Sequence, residues 1–289
     1  MGYKLLSKIS GWTVFAIAFI CYCLTAEPTG SLWDCGEFIT GAYKFEVVHP
    51  PGAPIFLIIG RMFTLVADML SDNPENIAYS INVMSGFFSA LAAAFIAWTT
   101  IIFGKLALVG REGKTDAGQN IALAGAGLTA GLSTAFCVSI WFSAVEGEVY
   151  AMSTFFTMVV MWGMAKWYSL PDTRDADRWI VFSLFMAGMS IGVHLLSLLT
   201  FPALALLYYF KKYKEHNIVG ILLSGVIGIA VMILIQYFVI IGVPTIWTKM
   251  EMVTVNSFGL PLHSGIVPTV LLFAGIIGDS PSNYTYNWS

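Results

Sequence analysis

The chain is 289 residues long, 57% hydrophobic and only 11% charged, with a mean hydropathy of +0.78 and a formal net charge of −3. So few charges cannot solvate the surface of a soluble domain of this size, and several charge-free stretches reach the ~20 residues that a bilayer crossing takes. Soluble architectures are thereby excluded and the fold expected is an all-α polytopic membrane protein; nucleic acid is not an expected partner, because no basic tract is present.

In chain order, the basic opening MGYKLLSK leads into a first apolar run over residues 9–26. Thr25-Ala26-Glu27-Pro28 is a poor cleavage site, so the run reads as an uncleaved first helix. A long loop, residues 27–76, follows. It contains the acidic motif Trp33-Asp34-Cys35-Gly36-Glu37-Phe38, the turn His49-Pro50-Pro51-Gly52-Ala53-Pro54 and an apolar helix expected over 53–70. Arg61, Thr64 and Asp68 share one face of that helix. Further crossings are expected near 77–103, 119–143, 150–167, 179–193, 195–210 and 218–241, about seven or eight in all. Residues 265–278 make about half a crossing. Residues 279–289 form a polar tail with two glycosylation-type triplets at Asn283 and Asn287, and the chain reads as a piece of a longer protein truncated there.

Loop charges decide how 53–70 lies. An Arg at the bilayer centre costs about 2.5–3.5 kcal/mol even on the lenient insertion scale. If 53–70 lies flat in the interface, one set of loops carries Lys4 and Lys8; Lys105, Arg111 and Lys114; Lys166, Arg174 and Arg178; and Lys211, Lys212 and Lys214. These are eleven of the fourteen basic residues. If 53–70 spans instead, the nine later ones move to the opposite face, against the positive-inside rule. The flat helix is therefore expected, with the N-terminus cytoplasmic and loop 27–76 outside, on the periplasmic face of an inner (plasma) membrane.

That choice also sorts residues it did not use. Asp34, Glu37, Glu46, His49, Glu146, Glu148, His194 and His263 all fall at the outer boundary, an arrangement suited to acid–base chemistry or cation binding. Trp33 and Phe38 flank the first acidic pair with apolar surface, which raises the basicity of a carboxylate by desolvation. Glu146 and Glu148 project to one side of an irregular segment, followed by Tyr150. His49 reads chiefly as a structural residue of the Pro-rich turn, and His194 either as a core histidine or as a contact to phosphate or hydroxyl. Arg61 either snorkels to headgroups or binds the phosphate of a lipid-linked substrate. The four cysteines lack metal spacing and read as packing residues. Phosphate-binding loops, dinucleotide fingerprints and hydrolase or zinc-protease motifs are absent.

The segments WDCGEFI, HPPGAPIFLIIGR, WFSAVEGEVYAMS and IGVHLLSLL resemble those of a bacterial membrane family formerly of unknown function, related to protein O-mannosyltransferases and to the GT-C glycosyltransferase superfamily. The resemblance covers roughly residues 10–275. It implies a GT-C-like transmembrane domain over 1–278 that moves a sugar from a polyprenyl-phosphate carrier to a hydroxyl of a protein or glycan acceptor, outside the cytoplasm. Asp34 matches the family's acidic position, the base that deprotonates the acceptor. Glu37 shares the catalytic role, although the two acids are adjacent in the O-mannosyltransferases and separated here by Cys35 and Gly36. Trp33, His49, Arg61, Glu146, Glu148, Tyr150 and His194 are the expected substrate contacts. No residue is assigned to a metal, since no compact ligand spacing is visible, although a divalent cation would suit the leaving phosphate. Membrane lipids are the remaining partner. The rival expectations are a polytopic transporter and a non-catalytic fragment or scaffold of such an enzyme.

Overall fold

The computed structural model describes residues 2–71 and 73–278; the polar tail and its two glycosylation-type triplets lie outside them. Every regular element among the described residues is helical. The helices are α1 (Tyr3–Thr25), α2 (Cys35–Lys44), α3 (Pro54–Leu70), α4 (Pro74–Val109), α5 (Ala117–Ala135), α6 (Val138–Val145), α7 (Val149–Ser169) and α8 (Arg174–Ile191). After a 3-10 segment, Leu195–Thr200, come α9 (Phe201–Lys212), α10 (Ile218–Leu234), a π-helical stretch Ile235–Ile241, α11 (Gly242–Asn256) and α12 (Ile266–Gly278).

Four of these stretches are long and apolar enough to cross a membrane: Tyr3–Thr25, Pro74–Val109, Leu195–Lys212 and Ile218–Asn256. The pair α5 and α6, bent by 63°, makes a fifth if it counts as one span. The single crossing expected over 119–143 is thus a broken helix. The break leaves the last carbonyls of α5 without intrahelical partners, and in an apolar setting each must find another. Tyr22 supplies one, its hydroxyl donating to the Ala135 carbonyl at 2.6 Å. The expected final crossing, 218–241, is longer than read: helix continues to Asn256 through a π-helical stretch.

The chain divides into two compact units, residues 1–225 and 226–289. In the first, α4 is the central post. Its alanine face (Ala90, Ala93, Ala97) lets α1 approach closely and packs with Val14, Ala18 and Tyr22, as small residues do in lipid, where close van der Waals contact drives helix association. A second core joins the segment that carries α2 and α3 to the bundle. Phe38, Ile39 and Ala42 of α2 and Phe56 and Leu57 of α3 pack with Ile81 and Met84 of α4, Val149 and Met152 of α7, and Val193. In the second unit, the Glu251 carboxylate of α11 accepts the N–H groups of His263 and Gly265, tying the turn that leads into α12.

Helix α3 forms over almost the stretch expected. Pro54 opens it, its fixed φ and missing N–H costing nothing in the first turn. One face (Phe56, Leu57, Gly60, Thr64, Ala67) is buried, while Met62, Leu65, Val66, Met69 and Leu70 are exposed.

The helix α7 sets the polarity of the first unit. Glu148 precedes its first residue and Lys166 lies in its last turn, roughly 27 Å away at 1.5 Å per residue. Around Lys166 gather Lys211, which donates to the Trp167 carbonyl, and Arg111, 4.8 Å over the Tyr168 ring. Glu148 and Lys166 thus stand at opposite ends of one helix, with further basic residues gathered at the Lys166 end.

Candidate active site

The acidic motif opens α2. Trp33 takes a left-handed backbone (φ 62°), which few side chains adopt without strain, and it turns the chain into the helix. Asp34 is the residue before the helix, and its exposed side chain does not cap the helix. Cys35 and Phe38 point inward and are buried, while Glu37, in the first turn, stays exposed. The motif is therefore split by helical periodicity: 34 and 37 go to one side, 35 and 38 to the other.

On the exposed side, Glu37 meets His49 across the loop. Its Oε2 lies 2.8 Å from His49 Nδ1, and its Oε1 accepts the His49 backbone N–H at 2.6 Å. These hydrogen bonds hold the Glu37 carboxyl below the usual carboxylate range, and Glu37 in turn raises His49 above the ordinary histidine value. His49 does not cap α3, whose preceding residue is Ala53 in a left-handed conformation. The Pro50–Pro51 bond is cis, and Gly52 N–H returns to the His49 carbonyl at 2.9 Å.

On the buried side, Cys35 meets Glu146 and Glu148. Its Sγ is 3.3 Å from Glu146 Oε2 and 3.5 Å from Glu148 Oε1, so the thiol donates toward both carboxylates. Both acids are at least nine-tenths buried. Burial pushes the Glu148 carboxyl up, opposed by the Cys35 hydrogen bond and reinforced by the charge of Asp34. The Cys35 thiol is likewise raised, first by its burial and then by the two glutamates.

Gly147 lets the two glutamates sit there. A Cβ at 147 would lie 2.9 Å from Ile81 Cγ2, 3.1 Å from Asn82 Oδ1 and 3.2 Å from Ile39 Cγ1. Only a glycine allows the α6–α7 joint to press against α4 and α2 at once. Asn82 also secures the strand of loop beside it, donating to the carbonyls of Glu27 and Thr29 at 2.6 and 2.9 Å.

A cavity of about 110 Å³ lies where these elements meet. Its lining includes Phe38, His49, Pro51, Glu148, Tyr150 and His194. The break between α8 and the 3-10 segment delivers His194, whose ring is 5.2 Å from that of Tyr150. His194 Nδ1 accepts the Leu196 N–H at 3.1 Å, which leaves the ring proton on Nε2, and partial burial lowers its pKa. A backbone hydrogen bond from Ile55 N to the Gly192 carbonyl, 2.8 Å, fastens this break to α3.

Of the residues expected at the site, the structure brings Asp34, Glu37, His49, Glu146, Glu148, Tyr150 and His194 into one neighbourhood. Trp33 stands beside them, 85% exposed. Arg61 is placed elsewhere. Its guanidinium donates to the Tyr43 carbonyl and lies 5.4 Å over the Tyr43 ring, at the far end of α2, about 15 Å of helix from Asp34.

Two features escaped the sequence reading. Cys35, read as a packing residue, links the two acidic segments. Asp34, Glu37 and His49 also present ligand atoms all within 4.8 Å of one another, a carboxylate–imidazole set that suits a divalent cation. The signal was invisible as spacing because the histidine comes from the following loop.

Sequence comparison adds a family. The profile of the protein O-mannosyl-transferase TMEM260 N-terminal domain matches residues 34–217. Among curated proteins, the chain is 26% identical over 166 residues to protein O-mannosyl-transferase tmem260 of Dictyostelium discoideum, which covers 57% of this chain and 18% of that protein. It is 25% identical over 178 residues to protein O-mannosyl-transferase TMEM260 of Mus musculus, covering 62% and 22%. The chain thus spans about a fifth of the length of these relatives. No solved structure matches it significantly.

Proposed function

Because the chain belongs to the family of the protein O-mannosyl-transferase TMEM260 N-terminal domain, we propose that it forms the catalytic head of a membrane glycosyltransferase that moves a mannose-like sugar onto a protein hydroxyl. The observation that carries this reading is one cavity at the end of α7 where Glu148 lies, lined by His49, Glu148, Tyr150 and His194, with the carboxylates of Asp34 and Glu37 close to His49. Acid–base transfer needs a free carboxylate beside groups that orient a polyol and receive a leaving anion.

The division of labour follows from the hydrogen bonds. Both oxygens of Glu37 are committed to His49, so its lone pairs are already engaged. Asp34, exposed at the helix start, takes the proton from the acceptor hydroxyl. The acceptor oxygen then bonds the anomeric carbon as the bond from that carbon to the phosphate oxygen breaks, the electron pair leaving with the lipid phosphate. His49, whose protonated form the Glu37 hydrogen bond favours, and the Nε2–H of His194 are placed to receive that charge. Glu148 and Tyr150 orient sugar hydroxyls, and the exposed ring of Trp33 offers a face for the sugar.

In this reading the donor is a polyprenyl-phosphate sugar, the architecture is of the GT-C type with seven or eight crossings, and the site faces away from the cytoplasm. Supporting that sidedness, the basic residues gather at the other end of α7 from Glu148. Arg61 is better placed to hold α2 than to touch the donor.

The test is sugar transfer by the full-length parent protein from polyprenyl-phosphate mannose to acceptor peptides. Asp34→Asn is expected to lower the rate by a factor on the order of 10² to 10⁴, the usual worth of a general base. Transfer by that variant at the wild-type rate would reject the assignment.

A further inference from the structure

The basic end of the first unit contains a second cavity, of about 510 Å³, distinct from the acidic site. Three helices build it, each with a stripe at helical spacing. Helix α1 presents Lys4, Lys8 and Trp12, α4 presents Phe95, Trp98 and Ile102, and α7 presents Trp162 and Lys166.

Its walls are packed in a specific way. The Trp98 indole lies against the backbone of α1, donating Nε1–H to the Ser7 carbonyl at 3.0 Å. Gly11 permits this, since a Cβ there would come within 2.0 Å of Trp98 Nε1. Trp12 meets Trp98 at 5.5 Å between ring centroids, Phe95 meets Trp98 at 5.1 Å, and Phe95 meets Trp162 at 5.2 Å. One turn nearer the helix end, Lys166 Nζ sits 5.5 Å over the Trp162 ring.

Charge and depth are ordered in the same sense on two of the helices. On α1 the lysines lie toward the end and Trp12 toward the middle; on α7 Lys166 lies toward the end and Trp162 toward the middle. No carboxylate is among the lining residues, and neither the Glu37–His49 nor the Asp172–Lys212 ion pair involves these lysines. Three like charges around one opening call for an anion. An inorganic anion would occupy only the rim and leave the aromatic walls bare. An amphiphile fills both.

We propose that this cavity binds one anionic phospholipid of the adjoining leaflet, its phosphate among Lys4, Lys8 and Lys166 and an acyl chain along Trp12, Trp98 and Trp162. The occupant pins the first turns of α1 to the ends of α4 and α7, independently of whatever chemistry the acidic end performs. Lysines near a membrane surface attract anionic lipid by about fivefold each.

The experiment is lipid binding by the purified chain in neutral detergent, read by native mass spectrometry and by thermal stabilisation. The probes are phosphatidylglycerol, phosphatidylcholine and inorganic phosphate. The expected result is retention of one phosphatidylglycerol with at least a tenfold preference over phosphatidylcholine, lost in the K4Q/K8Q/K166Q variant and kept in K4R/K8R/K166R. Equal retention of both lipids, or a preference unchanged in the glutamine variant, overturns the proposal. Stabilisation by inorganic phosphate equal to that by phosphatidylglycerol assigns the site to a soluble anion and overturns it too. Should the glutamine variant fail to fold, brominated-chain lipids decide on the wild type: brominated phosphatidylglycerol must quench tryptophan emission more than brominated phosphatidylcholine, and salt must abolish the difference.

Discussion

Glu37 clasps His49 with both carboxylate oxygens, Oε2 2.8 Å from Nδ1 and Oε1 2.6 Å from the backbone nitrogen. The chain between Glu37 and His49, the residue at which the Pro-rich turn starts, is closed by this clasp, and its strength depends on pH through both partners. The Glu37 pKa is lowered, so its contribution is present above the ordinary carboxylate value and lost as pH falls through the depressed one. The His49 pKa is raised, so its contribution is complete below about 6.5 and lost as pH rises through the elevated value. Nuclear magnetic resonance titration of His49 is expected to show a midpoint above 6.5, returning toward it in Glu37→Gln. A midpoint unmoved by that substitution would show that the clasp does not persist in solution.

The glycine between the two buried acids has no room for a side chain. Gly147→Ala must push aside Ile81, Asn82 or Ile39, an overpacking that costs about 1–3 kcal/mol. A lower melting temperature in detergent is expected, together with lost transfer activity in the parent protein, because Glu146 and Glu148 move with the joint. Wild-type melting would mean that the α6–α7 joint packs more loosely than the distances state.

Cys35 is expected to be unreactive. Its thiol is buried and raised above the ordinary cysteine value by that burial and by Glu148 and Glu146, and only the thiolate attacks maleimides. Mass spectrometry after N-ethylmaleimide treatment at pH 7.5 should find Cys35 unmodified in the folded chain and labelled after denaturation in dodecyl sulfate. Rapid labelling in the folded chain would contradict the burial.

Arg61 is expected to matter for stability rather than for donor affinity. Its guanidinium closes the end of α2 through the Tyr43 carbonyl and stacks on the Tyr43 ring. Losing a charged hydrogen bond and a cation–π contact costs about 1–3 kcal/mol, so Arg61→Gln should lower the melting temperature. Its KM for the proposed lipid-linked donor, measured in the parent protein, should stay near the wild-type value once protein is matched for folded fraction. A selective rise in that KM would return Arg61 to the phosphate.

Much of the site was legible because its residues sit at breaks the sequence announces. Pro50, Pro51 and Pro54 mark the turn that carries His49, and Gly192 marks the break that delivers His194. Glu146-Gly147-Glu148 interrupts an apolar run where acids are costly to keep. The broken span at Ala135–Val138 was not legible, because neither Phe136 nor Cys137 carries a helix-breaking signal; the bend is stabilised from outside, by Tyr22. The commitment of Arg61 was equally hidden, since its partner is a backbone carbonyl of another helix. Polarity along a helix can be counted from one chain, but the partner of a buried donor cannot.

Composition and periodicity by themselves determined that this is a helical membrane chain, that α3 is amphipathic and that Asp34 and Glu37 share a face. Those properties follow from local geometry and from the cost of charge in lipid. The tertiary structure alone decided that Glu37 is spoken for by His49, that Cys35 joins Glu146 to Glu148, and that Asp34 is left free. Such pairings depend on which surfaces α2, α4 and α7 bury against one another, and that choice is made by side-chain packing among residues far apart in sequence, up to 113 positions for Cys35 and Glu148.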